Sequence, residues 1–133
     1  MSRSLIQTVN QSAQVVAANS IIGLGSTQRR YGCNLRLSGN GIEVNGDGYY
    51  TINAGVSVTP TAAGAVTVAA FENGVQIPGA IAYGTGTAAA PLSLSVPPST
   101  IRLGCCDSTK NITFVLIAGA GTVNNIAVRV VKE

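Results

Sequence analysis

Apolar and polar residues alternate along most of this chain, and a period of two is typical of a β-strand with one buried face. The segment YYTINAGVSV, residues 49–58, shows the pattern clearly. Its apolar face would carry Tyr50, Ile52, Ala54, Val56 and Val58. The segments AVTVAAF and PLSLSV alternate in the same way, so each of them predicts a further strand.

Two segments near the C-terminus, NITFVLIAG and NIAVRVVKE, carry apolar residues on both faces. In the first of them, Val115 and Ile117 lie opposite the face that holds Phe114. Strands of this kind are usually buried on both sides, so we expect one face in the core and the other against a neighbouring chain. The candidate residues for the core or the chain interface are Tyr50, Ile52, Val56, Phe114, Leu116, Val128 and Val130.

Short turn sequences rich in glycine and asparagine separate the predicted strands. The clearest is Asn73-Gly74, because both residues tolerate the positive φ that a type I′ hairpin needs at its two central positions. The strand after this turn is predicted to be short and to break at Pro78-Gly79.

No segment shows a helical stripe bounded by capping residues. The segment VNQSAQVVAANS is interpreted as a strand, because its β-branched content and the alternation at Ala13, Val15 and Ala17 favour one. The chain is therefore predicted to form one all-β domain, either a sandwich or a jelly roll.

The composition is unusually apolar and poor in charge. Hydrophobic residues make up 46% of the chain and charged residues only 10%, whereas an average domain carries about 25% charged residues. No apolar run reaches the length of about 18 residues that crosses a membrane, so we expect apolar surface to be covered by further copies of the chain. The alternative is a monomer whose β core is built from small residues.

The positive charge does not form a nucleic-acid site. The net charge is +3, and the lysines and arginines are scattered along the chain. Only Arg29 and Arg30 are adjacent, and no aromatic residues interleave with them, so nucleic acid is not a predicted partner. The two arginines are interpreted as surface charges or as partners of Glu43 or Asp47.

The sequence offers few groups for catalysis or for metal binding. It contains no histidine and five acidic residues, so a cysteine nucleophile would lack its usual base. A calcium site needs six or more oxygens, and Asn45 with Asp47 supplies too few. The prediction is a protein that is not an enzyme, with no catalytic residues, no cofactor and no metal.

The three cysteines, Cys33, Cys105 and Cys106, do not suggest a disulfide framework, because their number is odd. They are interpreted as small buried hydrophobes or free thiols. The N-terminus lacks the apolar region and cleavage site of a signal peptide. We therefore expect synthesis and folding in a reducing cytosol, with export by another route, including release inside a particle, left open.

The order of several motifs resembles a known family, the jelly-roll heads of the complement and tumour-necrosis-factor superfamily, in their bacterial and phage branch. The resemblance spans roughly residues 8–133. The residues that carry it are Gly48-Tyr49-Tyr50, the run from Asn73-Gly74 to Gly79, and the apolar segments 111–118 and 125–132. It implies a ten-stranded jelly roll that assembles as a homotrimer about a threefold axis.

The same resemblance implies a domain division and a function. Residues 1–12 would form an arm, anchored on a larger assembly by Leu5, Ile6 and Val9, and residues 13–133 would form the trimerising jelly roll. The implied protein is a capsid decoration or head fibre protein on the virion surface of a bacteriophage, synthesised in the host cytoplasm, with the major capsid protein or another virion component as its partner.

Two alternatives remain open at this stage. The first is a receptor-binding or adhesin head that contacts a cell-surface glycan or protein through the loops 59–64, 84–90 and 119–125. The second is a structural protein of a spore or cell surface.

Overall fold

The computed structural model describes residues 4–104 and 109–132. The first three residues of the predicted arm lie outside the described residues, and so do Cys105 and Cys106.

The described chain is folded entirely from strands and turns, which confirms the all-β prediction. The strands are β1 (Leu5–Asn10), β2 (Gln14–Val16), β3 (Ser20–Ile21), β4 (Ser26–Tyr31), β5 (Leu35–Ser38), β6 (Gly41–Val44), β7 (Gly48–Pro60), β8 (Gly64–Glu72), β9 (Val75–Gly86), β10 (Leu92–Leu103), β11 (Lys110–Ala118) and β12 (Gly121–Lys132). Among residues 4–104 and 109–132, no helix is long and apolar enough to cross a membrane.

The predicted count of ten strands was wrong, since the described residues form twelve. The segment interpreted as one strand from Val9 to Ser20 is divided between the end of β1, β2 and β3. After β1 the Asn10 side-chain oxygen accepts a hydrogen bond from the Ser12 amide at 3.0 Å, and the chain then resumes pairing with β12 as β2, in a shifted register. Ala13, Val15 and Ala17, the residues of the predicted alternation, are all exposed, and Val16 between them is buried.

The strands form two antiparallel sheets of a jelly-roll sandwich. The first sheet has the order β10-β7-β12-β1-β4, with β2 paired to β12. The second sheet has the order β5-β6-β11-β8-β9, with β3 paired to β11. Strands that are distant in sequence, such as β1 and β12, are therefore direct neighbours.

The core fills the space between the sheets with the apolar faces that the alternation predicted. Tyr50 and Phe114 are the largest of the fully buried side chains. None of the predicted core or interface residues is more than 2% exposed: Tyr50, Ile52, Val56, Phe114, Leu116, Val128 and Val130. These residues are enclosed within one chain, so they offer no surface to a second one.

The hairpin between β8 and β9 has the predicted turn. Asn73 and Gly74 have φ angles of 50° and 84°, and both values are positive as a type I′ turn requires. The predicted break at Pro78-Gly79 is instead a bulge, because β9 continues to Gly86 and its register with β8 shifts in this region. Gly79 has a φ of 83°, which lets the strand bend there and continue.

The hydroxyl of Tyr50, a buried residue of the first sheet, is hydrogen-bonded to the turn that precedes β7. The Tyr50 hydroxyl is within hydrogen-bond distance of the carbonyl oxygens of Asn45, at 3.0 Å, and Gly46, at 2.8 Å. Burial, with a smaller contribution from the charge of Asp47, raises the pKa of Tyr50 above its ordinary value. The neutral phenol is therefore the form that the folded protein favours.

Candidate functional site

The outer face of the first sheet carries a row of small side chains that crosses β10, β7, β12, β1 and β4. Pairing registers place Ser95, Gly55, Ala127, Val9 and Ser26 side by side in one row, which we call the small-residue row. A Cβ atom added at Gly55 would meet no heavy atom within 4 Å. The row is therefore a shallow surface that another protein could approach closely.

Two further rows follow the small-residue row towards the end of β12, and they differ in charge and apolarity. On the row that begins at Asn53, register pairing brings Arg129, Gln7 and Arg29 together, and both arginines are exposed. The next row is more apolar and contains Thr51, Val131, Leu5 and Tyr31. The face thus combines flat apolar surface with positive charge.

Arg29 and Arg30 are both exposed, in agreement with their interpretation as surface charges, and Glu43 has another partner. Glu43 pairs with Arg36 at 3.3 Å, not with Arg29 or Arg30. The Arg30 guanidinium donates instead to the carbonyl oxygen of Leu35 at 2.6 Å.

The predicted anchor residues lie in a strand of the first sheet. Leu5, Ile6 and Val9 all belong to β1, which pairs with β12 on one side and β4 on the other. Ile6 is fully buried, so it could contact a partner only if β1 left the sheet. Leu5 and Val9 are partly exposed and belong to the outer face described above.

The second sheet has an apolar outer face. Register pairing aligns Ile21, Val115, Ala69 and Ile81 in one row across four strands. Ile21 is 50% exposed, and Tyr83 on the neighbouring row is 74% exposed. The outward Val115 and Ile117 were visible in the sequence as apolar residues on the second face of a strand.

A groove of about 420 Å³ lies on this apolar face. We call it the neutral groove, because all its lining residues are uncharged: Asn19, Ile21, Phe71, Gly74, Gln76, Thr113, Val115 and Ile117. Sequence reasoning did not select Asn19, Phe71, Gln76 or Thr113, because they belong to four strands or turns that are separated along the chain. The only signal for the site was the doubly apolar pattern of β11.

The three predicted contact loops meet at one end of the sandwich. The Thr61 amide donates to the carbonyl oxygen of Ala120 at 3.0 Å, which joins the first loop to the third. The Ala89 amide donates to the carbonyl oxygen of Pro60 at 2.9 Å, which joins the second loop to the first. Asn124 and Thr59 add a side-chain hydrogen bond of 2.6 Å.

The described part of the chain presents no constellation of metal-binding groups. Within residues 4–104 and 109–132, no cluster of three or more His, Cys, Asp or Glu side chains is placed to hold a metal ion. Cys33 is a free and exposed thiol.

The arrangement of the two sheets matches solved structures along nearly the whole chain. A crystal structure of murine APRIL at pH 5.0 superposes with a TM-score of 0.75 at 14% identity, covering 99% of this chain and 100% of that one. The chain has the jelly-roll fold of tumour-necrosis-factor-like proteins. The globular domain of zebrafish complement 1qA shows the same fold, with a TM-score of 0.70 at 8% identity, covering 96% of this chain and 94% of that one.

The same jelly-roll fold occurs in a viral vertex protein. The vertex protein P5 of PRD1 matches with a TM-score of 0.64 at 15% identity, over 97% of this chain and 96% of that one. No protein-family model matches the sequence, and no curated protein is similar to it at the level of sequence. At these identities the likeness concerns the fold.

Proposed function

We propose that this protein is a non-enzymatic structural protein of a bacteriophage virion, acting as a homotrimeric capsid decoration or head fibre protein. The observation that carries the proposal is the shallow small-residue row on the outer face of the first sheet. The end-to-end fold likeness to the PRD1 vertex protein P5 supports the location on a virion.

The small-residue row favours close packing between copies. Gly55, Ser95 and Ala127 project little beyond the backbone, so a neighbouring sandwich can approach the sheet closely. Leu5 and Val131 on a nearby row would lose exposed apolar area on contact. A closed ring of three copies would use this face once in every subunit and would leave no open end.

The mass of the protein in solution tests self-association. We expect three times the 13.4 kDa of one chain. A Gly55→Arg variant should fold, since no atom lies within 4 Å of its new Cβ, but its side chain should hold the copies apart. Thr85→Arg, on an exposed position of β9, is the matched control and should remain trimeric. A wild-type monomer at micromolar concentration would refute the proposal.

Attachment to a particle requires a separate experiment. The purified protein should co-sediment with capsids that lack it, with the major capsid protein as the proposed partner. If these partly exposed side chains are anchors and not contacts between copies, the Leu5→Ser and Val9→Ser variants should bind less well while keeping the solution mass of the wild-type protein. The conservative Leu5→Met variant is the control, and equal binding of all variants would exclude the anchor role.

A receptor-binding or adhesin head on a phage fibre or bacterial surface is the second candidate function. The clustering of loops 59–64, 84–90 and 119–125 at one end favours it, because binding residues often lie on loops held by a rigid scaffold. Substitutions in these loops should then abolish adhesion to host cells while leaving the solution mass unchanged.

A further inference from the structure

We propose that the neutral groove on the second sheet is a binding site for a neutral saccharide. This inference goes beyond the structural function proposed above and does not depend on it. It follows from three properties of the groove, which are an apolar floor with one aromatic ring, amide and hydroxyl groups that lie beside this floor and bond to no other protein group, and the lack of charge among the lining residues.

The floor suits the carbon-bound hydrogens of a sugar ring. Phe71, Val115 and Ile117 are only partly buried in the chain and form much of the lining. The face of an aromatic ring carries partial negative charge, which attracts the weakly positive C–H groups of a pyranose. A sugar placed there would also remove the exposed part of Ile21 from water.

The polar lining residues supply groups that an apolar partner would leave unpaired. Among the described residues, the side chains of Asn19, Gln76 and Thr113 make no hydrogen bond to another protein group. Their amides and hydroxyl can both donate and accept, as sugar hydroxyls do. A hydrocarbon or an apolar protein segment seated on the floor would desolvate these groups without replacing their hydrogen bonds with water, which is costly.

The lack of charge in the groove and its size both favour a neutral small molecule as the ligand. No lysine, arginine, aspartate or glutamate lines it, so nothing there would recognise a sialylated or phosphorylated sugar. Lys110 and Glu72 lie on β11 and β8, which also line the groove, and they are paired to each other at 2.8 Å. The volume of about 420 Å³ lies within the range of roughly 300–1,000 Å³ typical of small-molecule sites.

Nuclear magnetic resonance titration of the full-length protein tests the proposal. The probes are the neutral disaccharides maltose, lactose, cellobiose, chitobiose and mannobiose, with sialyllactose as the charged comparator. We expect at least one neutral disaccharide to shift the amide signals of Phe71, Gln76, Thr113 and Val115, and sialyllactose to bind no better than lactose. A panel in which no neutral disaccharide shifts these signals overturns the proposal.

Matched variants assign any binding to the groove. Gln76→Ala should weaken binding about fivefold, the usual effect of one lost hydrogen bond, and Thr113→Arg should abolish it by filling the groove. Gln28→Ala, an exposed glutamine on β4 of the other sheet, should leave binding unchanged. Undiminished binding in both groove variants would place the saccharide elsewhere and overturn the proposal.

The solution mass separates the saccharide proposal from the structural one. Groove variants should keep the mass of the wild-type protein. If Thr113→Arg lowers the mass, the groove is a contact between copies and not a saccharide site. The wild-type mass tests the trimer independently, so either proposal can fail while the other holds.

Discussion

The two outer faces of the sandwich differ more than the two inner faces do. Both sheets turn fully buried apolar residues inward, such as Ile52 in the first and Leu116 in the second. Outward, the first sheet shows Gly55 and Arg129, whereas the second shows Val115 and Ile81. The inner positions therefore maintain the fold, and the outer positions are free to differ in what they bind.

The largest effect on the free energy of unfolding is expected from substitutions in the core, which both sheets share. Phe114→Ala should lower the free energy of unfolding by about 3–5 kcal/mol, because a buried ring is lost and a cavity remains. Val128→Ala, in the opposite sheet, should have a smaller effect in the same direction, since less volume is removed. Chemical denaturation measures both. A core that tolerated Phe114→Ala without loss would show that the enclosed residues do not hold the sheets together.

The next largest effect should be on self-association, and it should differ between the outer faces of the two sheets. Val131→Lys adds a cation to the outer face that already carries Arg29 and Arg129, and at a contact between copies this should cost several kcal/mol. Ile81→Lys makes a matched change on the second sheet and should leave the oligomer intact. Analytical ultracentrifugation measures both masses. If only Ile81→Lys dissociated the oligomer, the copies would contact each other through the second sheet and not through the first.

Much of this comparison could be predicted from the sequence, but only along single strands. Alternation placed Tyr50 and Phe114 inward, and Asn73-Gly74 located a hairpin, because both signals are local. The neutral groove could not be predicted, since Ile21 and Phe71 come together only through the order of strands in the sheet. Alternation alone did not decide which face of residues 13–17 is buried, and the structure leaves Val15 exposed and buries Val16.

A smaller effect should come from the polar group inside the first sheet. Tyr50→Phe removes the hydroxyl that contacts the carbonyl oxygens of Asn45 and Gly46. The Asn45 carbonyl oxygen still accepts a hydrogen bond from the side-chain amide of Asn34 at 2.7 Å. Only the Gly46 carbonyl oxygen therefore loses its side-chain donor. We expect a loss of about 1–2 kcal/mol in the free energy of unfolding at neutral pH.

The pH dependence of the wild-type protein provides a second measurement of the same group. Because the pKa of Tyr50 is raised in the folded state above its ordinary value of 10.0, the unfolded chain releases this proton first as pH rises. The stabilisation is fully present below pH 10.0 and is lost as the pH passes through the folded-state pKa. Tyr50→Phe should make the decline above pH 10.0 shallower than in the wild-type protein. An identical decline in both proteins would contradict this assignment.

The smallest effects, on stability and on self-association, are expected from removing single arginine charges from the two sheets. Arg36 and Glu43 on the second sheet pair at 3.3 Å, but the Arg36 side chain is 63% exposed, so Arg36→Gln should cost at most about 1 kcal/mol and less at high salt. Arg129→Gln, on the first sheet, should instead strengthen self-association at low salt by relieving repulsion between copies. Denaturation and mass measurements at two salt concentrations distinguish the effects. If Arg129→Gln weakened the oligomer, its guanidinium would be a contact with a neighbouring copy, and the positive charge of the first sheet would contribute to assembly.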